Sequence, residues 1–155
     1  MAKVDYEDRL KALGYSLPEP PKPVASYVPS VKVGKLLFVS GVLPIVGDRL
    51  LYAGKLGKEV TLEQGYEAAK VAALNALSVV KASLGGLGRV RRVVRLVGYV
   101  ASSDGFRDQA RVINGASDLL LQVFGENGKH SRVTVGVTEL PMGAPVEIEM
   151  IVQTK

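Results

Sequence analysis

Apolar and polar residues alternate most regularly toward the carboxy-terminal end. From His130 to Gln153 the chain reads HSRVTVGVTELPMGAPVEIEMIVQ, two strand patterns joined by Leu140-Pro141-Met142-Gly143-Ala144-Pro145. Successive side chains of a strand point to opposite sides. Val146, Ile148, Met150 and Val152 therefore share one face and Glu147 and Glu149 the other. The first of the two strands carries a single cation, Arg132. The pattern sets an arginine and a carboxylate pair on one sheet face, with the opposite face turned into a core.

Two helical strides stand upstream. Leu62, Tyr66, Ala69, Ala73, Ala76, Val80 and Leu84 recur at steps of three and four, with Lys70 and Lys81 off that face. Thr61 and Gln64 have capping-box spacing, and Gly85-Gly86 supplies a stop. The second stride covers 106–124, with Phe106, Ala110, Ile113, Ala116, Leu120 and Phe124 inward and Gly125 at its end. A short helix is expected over 4–13, stopped by Gly14, followed by an extended arm that Pro18, Pro20, Pro21 and Pro23 keep out of regular structure.

The remaining segments read as strands. Residues 25–33, 36–43 and 49–53 form an expected antiparallel meander with turns at Gly34-Lys35 and Gly47-Asp48, and Pro29 demotes the first toward an edge. The run 36–43 is apolar on both faces, with Leu36, Phe38 and Val42 on one and Leu37, Val39 and Leu43 on the other. Val90–Ala101 is β-branched enough for a fourth strand. The order is βββαβαββ, an α+β fold in one domain of residues 1–155, with residues 1–23 as amino-terminal helix and arm. Two helices cover only one face of such a sheet. Apolar residues on the other face would promote aggregation in a monomer. The pattern therefore predicts a homo-oligomer whose sheets face one another, with clefts between subunits.

Composition narrows the chemistry. At 155 residues, 47% hydrophobic and 23% charged, the chain is ordinary globular material able to bury a core unaided. It has no Cys, which excludes disulfides, thiolate metal sites and a cysteine nucleophile. The single His130 excludes a His-rich zinc site, lies in no Ser-His-Asp pattern, and reads as a solvated loop residue. No apolar run reaches the roughly 18 residues of a membrane span. The charged start MAKVDYEDRLKALGY lacks an apolar signal core, so the expected location is cytoplasmic. A net charge of +5 suits an anionic small molecule or a nucleic acid. Arg89, Arg91, Arg92 and Arg95 read as a charged strand end, without the interleaved aromatics on which bases stack.

Several blocks together carry a resemblance: Ser26-Tyr27-Val28, Val39-Ser40-Gly41-Val42-Leu43-Pro44, Val112-Ile113-Asn114-Gly115-Ala116, Ser131-Arg132-Val133-Thr134-Val135, Leu140-Pro141 and Val146-Glu147-Ile148-Glu149. From Tyr27 to the carboxy terminus the chain resembles the YjgF/Rid family of reactive-intermediate (enamine/imine) deaminases. The spacing of Arg132, Leu140-Pro141 and Glu147-Ile148-Glu149 is its most specific part. The resemblance implies a chorismate-mutase-like fold and a homotrimer with three inter-subunit clefts. It also implies hydrolysis of 2-imino or 2-enamine acids to 2-oxoacids and ammonia, with no cofactor and no metal.

Position by position, the resemblance makes Arg132 the grip on the substrate carboxylate and Glu147 the group that positions or activates water. Tyr27 lines the cleft, Gly41 lets substrate approach the backbone, Asn114 is the cleft asparagine, and the backbone of Thr134 contacts substrate and water. The chain departs from the pattern after Asn114, where Gly115-Ala116-Ser117-Asp118 replaces an aromatic-containing helix. The segment between Asn114 and Arg132 is also about one residue longer, and the amino-terminal helix and arm are extra. These features imply a longer subgroup. Two rival functions remain open: an endoribonuclease or RNA-binding protein, as linked to relatives, and a non-catalytic carboxylate-binding trimer.

Overall fold

The computed structural model describes residues 5–22 and 25–155. The elements run α1 (Tyr6–Ala12), β1 (Ser30–Val33), β2 (Leu36–Val42), β3 (Ile45–Val46), β4 (Arg49–Leu50), α2 (Leu62–Leu84), β5 (Val90–Ala101), α3 (Gln109–Phe124), β6 (Ser131–Val137) and β7 (Val146–Thr154). The main sheet has the order β1-β2-β7-β5-β6. Only β5 and β6 are parallel, joined through α3; the other neighbours are antiparallel. This is the expected α+β, chorismate-mutase-like architecture.

The core lies between one sheet face and helices α2 and α3. It takes Leu37, Val39 and Val42 from β2, Val93, Leu96 and Val100 from β5, and Val146, Ile148, Met150 and Val152 from β7. The capping box forms as expected: Thr61 Oγ1 accepts from Gln64 N, and Gln64 Oε1 accepts from Thr61 N. Gly85 ends α2 at φ +77°, a left-handed conformation that glycine adopts without steric cost. The buried stripe of α2 is wider than the seven positions predicted, adding Gly65, Ala68, Ala72, Leu77 and Val79, because the helix packs against both sheet and α3. The helices come close enough that a Cβ on Gly115 would strike the Tyr66 carbonyl. Buried Asn75 donates to Leu43 O (3.0 Å) and Ile45 O (2.9 Å), which holds the segment after β2 onto α2.

Helix α1 clasps the ends of the other two. Asp5 caps it by accepting from Glu7 N and Asp8 N. The Tyr6 ring meets the Phe124 ring edge-on at 4.7 Å, and Arg9 donates to Val123 O at 3.1 Å. Glu7 pairs with Lys81 at 3.0 Å and accepts from Leu87 N at 3.2 Å, bonds that lower its carboxyl pKa. Gly14 follows the helix at φ +85°, as its stop residue. The expected helix start at residue 4 and the last arm proline, Pro23, lie outside the described residues.

Four expectations need correction. The third strand of the predicted meander is not in the main sheet. Arg49–Leu50 pairs with Ile45–Val46 as a separate two-stranded hairpin about Gly47-Asp48, after Pro44, which has no N–H for a ladder. Helix α3 starts at Gln109, not at 106, and β1 starts at Ser30, just after Pro29. Last, Val42 does not share a face with Leu36 and Phe38. Between Val39↔Met150 and Val42↔Ile148, β2 carries one residue more than β7, a β-bulge at Ser40-Gly41. An extra residue inverts the facing of everything after it, so Val42 joins Leu37 and Val39 in the core.

Candidate functional site

Strand β6 is the last strand of the sheet, and Arg132 stands opposite Leu96 of β5 in the parallel register. Leu96 is fully buried beneath the helices, so Arg132 points to the helix side. There its Nη1 donates to Asn114 Oδ1 at 2.8 Å and to Ser117 Oγ at 3.1 Å, while Nη2 lies 3.4 Å from Ala110 O. The two Nη1 protons are thus committed to α3. Nε–H and the second Nη2 proton remain as the two-pronged edge that matches a planar carboxylate. Among the described residues no carboxylate forms an ion pair with Arg132. Thr134 follows two residues later on the same face, half-buried opposite Gly98.

Ser117 Oγ also lies 2.9 Å from His130 Nε2, and His130 Nδ1 lies 2.6 Å from Gly128 O. His130 is half-buried and hydrogen-bonded at both ring nitrogens, which corrects its reading as a solvated loop residue. Neither Ser117 nor His130 was among the predicted site residues. Spacing held the signal: Ser117 is three residues after Asn114 on one helix, and His130 is two before Arg132 at the mouth of one strand.

Glu147 lies elsewhere. It stands opposite Tyr99 of β5, on the face that no helix covers. Leu96 and Tyr99 are three residues apart with no register shift between them, so their side chains point to opposite faces. Arg132 and the glutamates therefore occupy opposite faces of the sheet, not the one face expected. The parallel join of β6 to β5 decides this, because it puts Arg132 in step with Leu96.

The β2 bulge explains the setting of Glu147. A Cβ on Gly41 would collide with Oε1 of Glu147 and come within 3.1 Å of its Cδ, so the missing side chain leaves room for the carboxyl group. Burial, and then the charge of Glu149 beside it, raise the Glu147 pKa above the usual carboxylate value. Among the described residues its carboxylate has no hydrogen-bond or ion-pair partner. Tyr27 is 53% exposed, on a segment tied to the bulge by Ser40, whose Oγ donates to Val28 O (2.7 Å) and whose N donates to Pro29 O (2.9 Å). Beside the bulge a depression of about 320 Å³ is lined by Phe38, Ser40, Arg95 and Glu149.

The six predicted residues therefore fall into two groups. Arg132, Asn114 and Thr134 cluster at the β6 edge on the helix side, and Tyr27, Gly41 and Glu147 belong to the bulge region. One chain does not bring the groups together. The uncovered face leaves Val31, Val33, Leu36, Phe38, Val133 and Val135 exposed. Among the described residues no helix is long and apolar enough to cross a membrane, and no group of three or more His, Asp and Glu side chains is placed to hold a metal ion.

Comparison with known proteins agrees with this architecture. A family model described as "YjgF/chorismate mutase-like, putative endoribonuclease" matches residues 7–151, which takes in most of α1 and, of the predicted region, Tyr27 to Ile151. Protein TCP17 of Trypanosoma cruzi is 46% identical over 145 residues, 93% of this chain and 91% of that protein. The crystal structure of Atu1372 from Agrobacterium tumefaciens superposes with a TM-score of 0.91 at 44% identity, covering 97% of this chain and 92% of that one. A Shewanella oneidensis structure described as a "putative endoribonuclease" gives a TM-score of 0.94 at 35% identity, covering 97% and 99%.

Proposed function

The chain belongs to the YjgF/chorismate mutase-like family, and on that premise we propose that it hydrolyses 2-imino or 2-enamine acids to 2-oxoacids and ammonia. The reaction takes place in clefts between the subunits of a homotrimer. One observation carries this reading: the chain holds two complementary half-sites, an arginine with an open two-pronged edge and a partly buried carboxylate without a cation, on opposite faces. The exposed apolar residues of the uncovered face supply the surface along which copies associate.

In the assembled cleft, Arg132 binds the substrate carboxylate and so fixes the adjacent C=N carbon. Glu147 takes one proton from water as the oxygen bonds to that carbon and gives it to the nitrogen, forming a carbinolamine; it then takes the hydroxyl proton and gives it to the nitrogen as C=O forms and the C–N bond breaks. Imine and water become 2-oxoacid and ammonia, with no net change at Glu147. A raised carboxyl pKa suits a group that must accept and return a proton near neutral pH. Imines hydrolyse unaided, so orientation together with roughly 10²–10⁴-fold from acid–base assistance is enough.

The test is an assay in which an imine is generated in situ and its decay to 2-oxoacid is followed. Arg132→Ala should lower kcat/KM by about 2–5 kcal/mol of transition-state stabilisation, the loss typical of removing one partner of a hydrogen-bonded charge pair. An active wild type with an equally active variant defeats the assignment. A second reading, RNA cleavage or binding, draws on the names of relatives and on exposed Arg91, Arg92 and Arg95 on β5. It requires RNA affinity that falls steeply with salt and is lost on removing Arg91 and Arg92. Binding of a 2-oxoacid without imine turnover would leave a non-catalytic carboxylate-binding protein.

A further inference from the structure

We propose that Ser117 and His130 form a positioning relay that sets the plane of the Arg132 guanidinium and thereby its selectivity for carboxylates. This deepens the reading above and rests on Arg132 being the carboxylate anchor.

The direction of each hydrogen bond follows from chemistry. The Gly128 carbonyl only accepts, so at 2.6 Å it fixes the ring proton of His130 on Nδ1. In the neutral ring Nε2 is then an acceptor, and at 2.9 Å it receives the Ser117 hydroxyl proton. The hydroxyl oxygen keeps its lone pairs for Arg132 Nη1 at 3.1 Å. A helical serine often turns its proton back onto its own helix; here the ring takes that proton and leaves the oxygen lone pairs facing Arg132. All three bonds point the same way, from guanidinium to carbonyl, and bonds aligned in this manner reinforce one another.

The second acceptor on Nη1 has a geometric effect that Asn114 alone lacks. A guanidinium held by one short bond and a long 3.4 Å contact to Ala110 O swivels about the short bond. Held at one nitrogen by Asn114 Oδ1 (2.8 Å) and Ser117 Oγ, its plane is set. Nε–H and the Nη2 proton not turned to Ala110 O then present a fixed edge. A planar acid with two oxygens matches that edge and a carboxamide does not, so the relay acts on selectivity through Arg132 rather than by touching ligand.

The experiment uses the full-length protein and the variants Ser117→Ala, His130→Ala, Ser117→Thr and His130→Gln, each checked for its melting temperature. The first readout needs no ligand. Nitrogen-15 NMR of wild type should show separate Nη1 and Nη2 signals for Arg132 and an unprotonated His130 Nε2. The Arg132 signals should merge in Ser117→Ala and in His130→Ala and separate again in Ser117→Thr, which keeps the hydroxyl.

The second readout is calorimetric titration with 2-oxobutanoate and with its amide. The two alanine variants should bind the acid roughly tenfold more weakly, within the range for coupled neighbours. They should lose nothing further on an Arg132→Lys background, and the amide should be unaffected. Signals that stay resolved in folded Ser117→Ala and His130→Ala overturn the proposal. So do losses that add fully to that of Arg132→Lys, which mark a role in stability alone. Signals that merge as expected in a protein with no imine turnover retain the relay and defeat the deaminase reading.

Discussion

Arg132 turns toward the helices of its own chain and meets acceptors from Asn114 and Ser117, whereas Glu147 turns away from the helices and, among the described residues, meets no partner. Both are half-buried. The arginine sits in a cradle that one chain finishes, with its remaining donors facing out. The glutamate sits over a side-chain-free stretch of bulged backbone, beside a second carboxylate, at a raised pKa. Burying a carboxylate without a cation costs folding energy. A cost retained in one half-site and avoided in the other marks the glutamate as serving something the single chain lacks, which is what the proposed assembly provides.

The sharpest way to break this contrast is to separate the copies. Phe38→Glu puts a charge into the exposed apolar face and should give a folded monomer without turnover, read by sedimentation and by the imine assay. A fully active monomer would place both half-sites' chemistry within one chain. Glu147→Gln keeps the shape and removes the base. It should lower kcat by roughly 10²–10⁴-fold while the melting temperature at neutral pH stays equal or rises.

The sign follows from linkage. A carboxyl whose folded pKa is raised gives stability that is fully present below its unfolded value and is lost as pH climbs through the folded value. Wild type should therefore lose this increment between its ordinary carboxylate range and the raised one, and the glutamine variant should not. Thermal melts across about pH 4–8 measure the difference. Gly41→Ala should displace the carboxylate, because the added methyl meets Oε1 of Glu147. A misplacement of about 1 Å costs up to roughly 10²-fold, so kcat should fall by up to that factor with KM little changed. Glu149→Gln is the mildest test. Removing the neighbouring charge should lower the Glu147 pKa and move the acidic limb of the kcat profile to lower pH.

Local signals were legible along the chain. The Thr61–Gln64 cap, the stop at Gly85 and the strand Val90–Ala101 all stand where the residue pattern puts them, because each depends on neighbours a few positions away. The shared face of Glu147 and Glu149 was legible for the same reason. The side of the sheet that Arg132 takes was not. It depends on the register with β5, thirty-six positions earlier at Leu96, and no local pattern encodes a parallel register. The bulge was hidden too, since Ser40-Gly41 in an apolar run suits an unbroken strand equally well. Asn114 was singled out from its motif, but its partner in this chain was not: its oxygen accepts from the arginine itself.

The amino-terminal clasp has a long reach. Asn127 donates to the Tyr6 hydroxyl at 3.3 Å, and Arg9 grips Val123 O. The first anchor lies within the turn Gly125–Gly128 and the second just before it, and the turn's final carbonyl is the one His130 holds. Trimming the first dozen residues, or fusing an affinity tag against them, would disturb the turn whose carbonyl holds the imidazole. Preparations that differ only at their front ends are then expected to differ in how tightly they hold small acids.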